Sequence, residues 1–361
     1  MDEELKYTIA LSCIRGIGSI KARLLIETFG SAKNVFEADT QSLSQLARTG
    51  KLILEHRNSE ALFDRVEREI QFCQDHHIKM YKYGEEGYPT RLLDCPDAPA
   101  LLFYLGNGNL ESRHTIGIVG TRSCSQYGRD MVNQLVADLK EAVPDLVINS
   151  GLALGIDITA HRAAMNNDVP TIGVVAHGLD RIYPAAHRQD ASRMIEQGGG
   201  IITEYATGTE PERGNFLARN RIIAGLSDAI IVAESKDKGG SLVTAAIAAD
   251  YNREVFAFPG RANDDRSKGC NRLIRINRAT LITNAQDLLE ALGWDSQKHN
   301  VRAIQQSIPF EEENLSPTGR LIVDALRNQG DLRVTQLADI THLDHSVLLE
   351  TLLDLEMDNK I

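Results

Sequence analysis

A segment that alternates between helical and apolar patterns, residues 211–260, most strongly constrains the fold of this chain. Two short apolar runs, Ala229–Glu234 and Glu254–Phe258, each follow a segment with helical periodicity, and each opens into a loop that carries Gly, Ser, Lys or Arg. Continuous apolar runs are typical of strands that are buried on both faces of a parallel sheet. In open α/β sheets, phosphate-binding loops lie at the carboxyl ends of such strands. The segment therefore predicts an α/β sheet with phosphate-binding loops.

The same alternation extends over residues 76–293, with helical segments such as Tyr127–Glu141 between the apolar runs. Five further runs predict strands: Thr115–Val119, Leu146–Asn149, Thr171–Val175, Ile201–Thr203 and Leu281–Thr283. Right-handed crossovers between parallel strands would give a doubly wound, Rossmann-like sheet. We expect two helical regions to flank this domain, at residues 1–75 and 315–361, with a polar linker at 294–314.

Composition limits the classes of function that need to be considered. The chain has 361 residues, which is enough for two or three domains. No apolar stretch reaches 18 residues and the first residues are acidic, so we expect neither a membrane span nor a secretion signal. The five cysteines are scattered without C-x-x-C spacing, which favours a reducing cytoplasmic setting and argues against a zinc site.

The formal net charge of −11 argues against a nucleic-acid partner when it is taken alone. The charge is, however, unevenly distributed. Residues 311–361 hold four Lys or Arg against eleven Asp or Glu, whereas residues 259–280 hold six basic residues against two acidic ones. This basic strip is either a binding surface on an acidic protein or an ordinary solvated face.

A glycine-containing hairpin, residues 14–18, separates two apolar helical segments near the N-terminus. Glycines two positions apart permit a tight reversal and leave backbone N–H groups free at the next helix start. Such a helix-hairpin-helix can accept a DNA phosphate, or it can serve packing alone in a SAM-like domain. Leu24, Leu25 and Phe29 occupy positions that we expect to face the core, and the nearby cations are Arg15, Lys21 and Arg23.

Four loops at predicted strand ends form the candidate site. In the first, a glycine turn at Gly120 precedes a helix, and Arg122 adds a forked cation that suits phosphate. The second contains Ser150, Gly151 and Gly155, and the helix before the Ala229 strand carries Arg219, Asn220 and Arg221. The last loop contains Lys236 and Lys238, followed by Gly239, Gly240 and Ser241, with Ser241 as the expected helix N-cap.

Neither a dinucleotide-binding G-x-G-x-x-G loop nor a Walker A loop is present, so we expect no nucleotide cofactor. Asp157 stands in a first helical turn, where a carboxylate suits the helix dipole, so we interpret it as structural. No Ser or Cys nucleophile is spaced to use His161 as a base, which favours a structural or helix-surface histidine. The sequence therefore favours a binding protein over an enzyme.

The order of these motifs resembles the family of the DNA-processing protein DprA, also called Smf. The resemblance spans about residues 92–292 and is carried by G-T-R-S-x-S-x-Y-G from Gly120, S-G-L-A-x-G-I-D from Ser150, F-x-x-R-N-R-I-I-A-G-L-S from Phe216 and G-G-S-L-V-T-A from Gly239. It implies a Rossmann-like domain between a SAM-like, helix-hairpin-helix domain and a winged-helix-like domain, whose β wing we expect to be missing. The Gly239–Ser241 loop departs from the family pattern by losing one hydroxyl.

The resemblance also implies a function. Members of the family are bacterial, cytoplasmic proteins without enzymatic activity that bind single-stranded DNA and form homodimers. They protect incoming DNA and load the RecA recombinase onto it during natural transformation. Carried over residue by residue, the DNA-binding set comprises Gly120, Thr121, Arg122, Ser123, Ser150, Gly151, Gly155, Asn220, Arg221, Lys238, Gly240 and Ser241.

Two other functions remain open at this point. A nucleotide phosphoribohydrolase on a related Rossmann-like fold would carry P-G-G-x-G-T-x-x-E, in which the glutamate is catalytic. The comparable loop here is K-G-G-S-L-V-T-A from Lys238, and no glutamate follows it. The third possibility is an adaptor that acts through the acidic residues 311–361.

Overall fold

The computed structural model describes residues 2–294, 316–329 and 334–357. The chain divides into two compact units, Met1–Asp295 and Ser296–Ile361. Apart from Trp294, the predicted linker at 294–314 lies outside the described residues. None of the described helices combines the length and apolar character that crossing a membrane requires.

The first unit begins with short helices whose starts are fixed by side-chain caps. The Asp2 carboxylate accepts a hydrogen bond from the Glu4 N–H, and the Ser59 hydroxyl accepts one from the Leu62 N–H. The helices are α1 (Glu3–Cys13), α2 (Ser19–Phe29), α3 (Ala32–Glu37), α4 (Thr40–Ser44), α5 (Ala47–His56) and α6 (Glu60–Asp75). Their apolar side chains share one core with Phe103 of the sheet. The predicted boundary at residues 75/76 therefore crosses a common core, and two independent domains there remain a prediction.

A sheet of nine strands, counted within the described residues, forms the centre of this unit. Its strands are β1 (Lys79–Lys82), β2 (Leu101–Gly106), β3 (His114–Val119), β4 (Leu146–Ser150), β5 (Thr171–Val174), β6 (Gly200–Thr203), β7 (Ala229–Val232), β8 (Glu254–Ala257) and β9 (Thr280–Leu281). Their spatial order is β1-β2-β6-β5-β4-β3-β7-β8-β9. All pairs from β6 to β9 are parallel, whereas β1 and β2 are antiparallel additions at one edge. The predicted Rossmann-like α/β sheet is confirmed as a mostly parallel sheet.

Helices cover both faces of the sheet, which explains the continuous apolar runs. The neighbours Ile230 and Ile231 on β7 point to opposite faces, and both are fully buried in different apolar clusters. The helices are α7 (Thr90–Leu93), α8 (Gln126–Ala142), α9 (Ile156–Asn166), α10 (Arg188–Glu196), α11 (Arg213–Gly225), α12 (Gly240–Asp250), α13 (Lys268–Arg275) and α14 (Ala285–Leu292).

The strand order fixes where a ligand can bind. From β3 the chain proceeds through β4 and β5 to β6 in one direction, and β7 then returns to pair with the other side of β3. This reversal between β3 and β7 opens a crevice at their carboxyl ends, where open α/β sheets bind ligands.

The second unit contains three described helices, α15 (Pro317–Gln329), α16 (Val334–Thr341) and α17 (His345–Met357). They pack around a small core that includes Ile322, Leu337 and Leu348. A winged-helix-like identity for this unit remains a prediction. The predicted absence of a β wing concerns residues after 359, which lie outside the described residues.

Candidate functional site

A cleft of about 740 Å³ lies at the carboxyl ends of β3 and β7. It is formed by the loops that follow these strands and by the adjoining parts of α9, α11 and α12. The lining residues are Val119, Gly120, Thr121, Arg122, Ala153, Asp157, Arg213, Phe216, Leu217, Arg219, Asn220, Ile223, Lys236, Lys238, Gly239, Gly240, Ser241, Val243 and Thr244. The crevice that the strand order predicts is therefore present. We call it the switch-point cleft.

The switch-point cleft is positively charged although the chain as a whole is acidic. Its described lining holds five cationic side chains and a single carboxylate, that of Asp157. The cationic residues are Arg122, Arg213, Arg219, Lys236 and Lys238. Clustered cations in a concave site raise the local concentration of an anionic ligand. The cleft is thus suited to a ligand that carries several negative charges.

An aromatic ring stands among these cations. The guanidinium carbon of Arg122 lies 5.2 Å from the centroid of the Phe216 ring, which is a cation–π distance. Beside Phe216, the side chains of Leu217 and Val243 remain 43% and 41% exposed at the cleft wall. The wall therefore offers an apolar surface for a flat ring next to cations for phosphates, which is the combination found in single-stranded nucleic-acid sites.

The start of α12 contributes backbone donors to the cleft. The N-cap is Gly239, which has no side chain to cap the helix, so the prediction that Ser241 is the N-cap is wrong. The Ser241 hydroxyl instead donates to the Ser235 hydroxyl at 2.9 Å. Within the described residues, the N–H groups of Gly240 and Ser241 have no protein acceptor. A helix start of this kind attracts anions through its free N–H groups and its dipole.

The loop that carries Arg122 is held in place by Glu234, at the end of β7. The Glu234 carboxylate accepts hydrogen bonds from the Ser125 N–H at 2.7 Å and from the Ser125 hydroxyl at 2.5 Å. The backbone carbonyl of Glu234 accepts a third bond from the Thr121 N–H at 2.8 Å. The exposed Arg122 side chain therefore projects from an anchored backbone, which reduces the entropy lost when it binds a ligand.

Two buried residues, Arg219 and Asp157, form the floor of the cleft. The Arg219 guanidinium donates to the carbonyls of Gly151, at 2.7 Å, and Val174, and thereby connects α11 to the ends of β4 and β5. Burial lowers the pKa of Arg219 to about 10, and burial raises the pKa of Asp157 against the opposing effect of Arg219. We therefore assign this pair to the scaffold of the cleft, in agreement with the structural interpretation of Asp157.

The cleft brings together seven of the twelve predicted DNA-binding residues: Gly120, Thr121, Arg122, Asn220, Lys238, Gly240 and Ser241. Ser123 is exposed on the same loop but lies outside the lining. Contact of these residues with DNA remains a prediction.

Three further predicted residues support the cleft from behind. The hydroxyl of Ser150 is fully buried and donates to the Ile118 carbonyl at 2.6 Å. A side chain at Gly151 would meet the Arg219 guanidinium at 2.5 Å, and Gly155 adopts a left-handed φ of 82° against the backbone of Thr121. The side chain of Ser150 and the missing side chains of Gly151 and Gly155 let the two loops pack closely together, and contact of these residues with DNA remains a prediction.

The prediction that Arg221 holds a phosphate is wrong. Its guanidinium forms a buried bidentate ion pair with Glu204, and it does not line the cleft. Conversely, the sequence reasoning missed Arg213, Phe216 and Leu217 as lining residues. They stand seven, four and three positions before Asn220 on α11, so helical periodicity from Asn220 could have identified them.

His161 is a structural residue. It is fully buried, its Nδ1–H donates to the Thr171 hydroxyl at 2.7 Å, and its Nε2 accepts from the Leu152 N–H at 3.3 Å. The Thr171 hydroxyl cannot donate to His161, because it already donates to the Ile148 carbonyl. Both ring nitrogens are thus occupied by the neutral form, which leaves no free atom for base catalysis.

Of the three cations near the N-terminal hairpin, Arg15 and Lys21 are exposed and Arg23 is buried. The Arg23 guanidinium donates to the Pro96 carbonyl and lies 4.9 Å from the Tyr83 ring centroid, so it serves packing against the sheet. Lys21 donates to the hairpin carbonyl of Gly16 at 3.4 Å. Leu24 is 50% exposed, and the prediction that it faces the core is wrong. Contact between this hairpin and DNA remains a prediction.

Two solved structures of DNA-processing proteins resemble this one. DNA processing protein A (DprA) from Streptococcus pneumoniae superposes with a TM-score of 0.67 at 34% identity, over 79% of this chain and 97% of that chain. DNA processing protein A from Helicobacter pylori, solved in a study of its single-stranded DNA binding mode, superposes with a TM-score of 0.54 at 32% identity, over 60% of this chain and 96% of that chain.

Sequence relatives agree with the structural ones. Protein Smf of Synechocystis is 35% identical over 305 residues, which cover 81% of this chain and 73% of the relative. DNA processing protein DprA of Streptococcus pneumoniae is 43% identical over 205 residues, which cover 57% of this chain and 71% of the relative. These matches confirm the resemblance to the DprA family and support a DNA-processing role. Since the family model also matches residues 79–293, the chain belongs to the family of DNA recombination-mediator protein A.

Proposed function

We propose that this protein binds single-stranded DNA in the switch-point cleft. The observation that carries the proposal is the combination in one cleft of four cations besides the buried Arg219, the uncapped start of α12 and the wall formed by Phe216 and Leu217. Phosphates require cations and backbone donors, whereas unpaired bases require a ring or apolar surface on which to stack. Duplex DNA would keep its bases stacked within the helix and leave that wall unused.

Each part of the cleft has a role in this proposal. Arg122 and Lys238 hold phosphates, and the N–H groups of Gly240 and Ser241 donate hydrogen bonds to a further phosphate at the start of α12. A base stacks on Phe216, with Asn220 near its edge. Because backbone phosphates and ring faces are common to all nucleotides, we expect little sequence preference. The Helicobacter pylori relative, whose structure concerns single-stranded DNA binding, supports this assignment.

The wider biological role is proposed on family membership. Relatives named DNA processing protein DprA support a role in handling incoming single strands during natural transformation. In this role a cytoplasmic homodimer would protect the strand and load RecA onto it. An assay of RecA filament growth on DNA coated by single-stranded-DNA-binding protein, with and without this protein, tests that step. No acceleration of filament growth would contradict it.

The binding proposal is tested by titrating labelled oligothymidylate against the wild-type protein and an Arg122→Ala variant. Removal of one charge-assisted phosphate contact should weaken binding about tenfold while the unfolding temperature stays unchanged. Arg193→Ala is the matched control. Arg193 is exposed near the carboxyl end of α10, on the side of the sheet where the parallel strands begin, opposite the cleft. Equal affinities of the wild-type and Arg122→Ala proteins would overturn the proposal.

The alternative of a phosphoribohydrolase finds no support. The family comprises DNA-binding and DNA-processing proteins and is not one of known catalytic enzymes. The carboxylate of Asp157, the single one in the described lining, is buried, and Arg219 acts on it electrostatically. Incubation with nucleoside monophosphates should release no free base, and released base would reinstate the hydrolase.

A further inference from the structure

A second basic depression lies next to the switch-point cleft. It has a volume of about 520 Å³ and is lined by Lys236, Arg261, Asn263, Asp264, Asp265 and Arg266. Lys236 lines both this depression and the cleft, so the two sites adjoin at its side chain. We call it the β8-loop depression, because the loop after β8 supplies every lining residue except Lys236.

We infer that the β8-loop depression is a second phosphate-binding site. Single-stranded DNA that is bound in the cleft would continue across Lys236 into this site. The inference rests on the proposed function, since it extends the path of the same strand. It assigns a role to part of the basic strip at residues 259–280, which the sequence left open between a binding surface and a solvated face.

The backbone of this loop is fixed at several points. The Tyr127 hydroxyl donates to the Pro259 carbonyl at 2.7 Å, and the Asn271 side-chain amide bonds both the N–H and the carbonyl of Gly260, at 3.1 and 2.9 Å. At its other end, the Arg266 carbonyl accepts from the Ser235 N–H at 2.8 Å. Arg261 and Arg266 therefore project from an anchored loop, which reduces the entropy lost on binding a phosphate.

The lining of the depression holds three cations against two carboxylates and therefore carries a net positive charge. Asp265 pairs with Lys268 at 2.5 Å, and Asp264 accepts the Arg266 backbone N–H at 2.9 Å. Within the described part of the chain, the side chains of Lys236, Arg261 and Arg266 are exposed and enter no ion pair. Two arginine forks beside a lysine form a concave cationic surface that fits successive phosphates of a flexible strand.

The test measures the affinity of the wild type and of an Arg261→Ala/Arg266→Ala variant for oligothymidylates of two lengths. An oligomer of about five nucleotides fills the cleft alone, whereas one of about twenty also reaches the depression. We expect unchanged affinity for the short oligomer and about tenfold weaker binding of the long one, with the logarithmic salt dependence reduced by about 1.4 for two lost phosphate contacts. Both substitutions keep the backbone anchors, so the fold should be preserved.

A control variant, Lys140→Ala/Arg193→Ala, removes the same amount of charge. Both residues lie near the carboxyl ends of α8 and α10, on the side of the sheet where the parallel strands begin. It should change neither affinity by more than about twofold. Equal losses of affinity for both oligomers in the Arg261→Ala/Arg266→Ala variant, or no loss for the long oligomer, would overturn the proposal of a second site. The Arg122→Ala variant separates the two proposals: if it binds both lengths like wild type, the cleft itself has failed.

Discussion

Arg221 and Glu204 are joined in the interior by two hydrogen bonds of 2.7 Å each, from Nη1 to Oε1 and from Nη2 to Oε2. Successive residues of an α-helix point about 100° apart, so the neighbours Arg219, Asn220 and Arg221 face different surroundings. Arg219 forms the cleft floor, Asn220 lines the cleft, and Arg221 pairs on the far side of α11. The charged motif therefore serves stability as well as binding.

We predict that Arg221→Met lowers the free energy of unfolding by about 3–5 kcal/mol, because it leaves the Glu204 carboxylate buried without its partner. Urea unfolding of the variant and the wild type measures the change. The double variant Arg221→Met/Glu204→Met should recover most of the loss, since it removes both buried charges. A loss below about 1 kcal/mol in the single variant would show that the pair contributes little.

Phe216→Ala should weaken binding of oligothymidylate by about 1–3 kcal/mol, because the stacked base loses its ring surface. The logarithmic salt dependence of binding should stay unchanged, since no phosphate contact is removed. Fluorescence anisotropy at several salt concentrations measures both quantities. Phe216→Tyr is the matched control and should keep near wild-type affinity. A Phe216→Ala protein that binds like wild type would remove the stacking role.

Lys238→Ala should give the opposite signature. It removes one phosphate contact from the switch-point cleft, so the logarithmic salt dependence should fall by about 0.7, with weaker binding at low salt. The difference in affinity should shrink as salt rises, because salt weakens the Lys238 contact that only the wild type makes. Lys140→Ala serves as the control, because Lys140 lies on the side of the sheet where the parallel strands begin, opposite the cleft. A salt dependence equal to that of the wild type would place Lys238 outside the phosphate path.

Much of the sheet could be predicted because its strands are buried on both faces. The apolar run at Ala229–Glu234 and the observed β7 (Ala229–Val232) differ only in where the strand ends. The antiparallel edge strands β1 and β2 were not predicted. The four residues of β1, K-M-Y-K, carry little apolar signal, and their pairing with β2 depends on the N-terminal helices that cover Phe103.

Site residues that lie in loops at strand ends could be predicted from the sequence. The direction in which a helical side chain points was harder to predict. Gly120, Arg122 and Lys238 follow strand ends that converge at the switch point, and topology alone brings them together. The direction of Arg221 depends on the position of Glu204, which lies in a different connection of the sheet. Local sequence spacing does not reveal such a long-range pair. The phosphate-binding role of Arg221 was therefore predicted from its residue type alone.

His161 gives the fold a defined pH dependence. Burial lowers its pKa from 6.5 to about 3, because the neutral ring satisfies both of its hydrogen bonds in the interior. Between these values the unfolded chain binds a proton that the folded protein excludes. The stability contributed by His161 is therefore complete above pH 6.5 and is lost as the pH falls toward 3.

We predict that lowering the pH from 7.5 to 5.0 reduces the free energy of unfolding by about 2 kcal/mol through His161 alone. His177, whose pKa burial also lowers, acts in the same direction. Urea unfolding at the two pH values, for the wild type and for His161→Gln, isolates the contribution of His161. The variant should be less stable at pH 7.5, since it disturbs the bonds to Thr171 and Leu152, but it should lose less stability on acidification. An equal loss in both proteins would mean that His161 titrates alike in the folded and unfolded states.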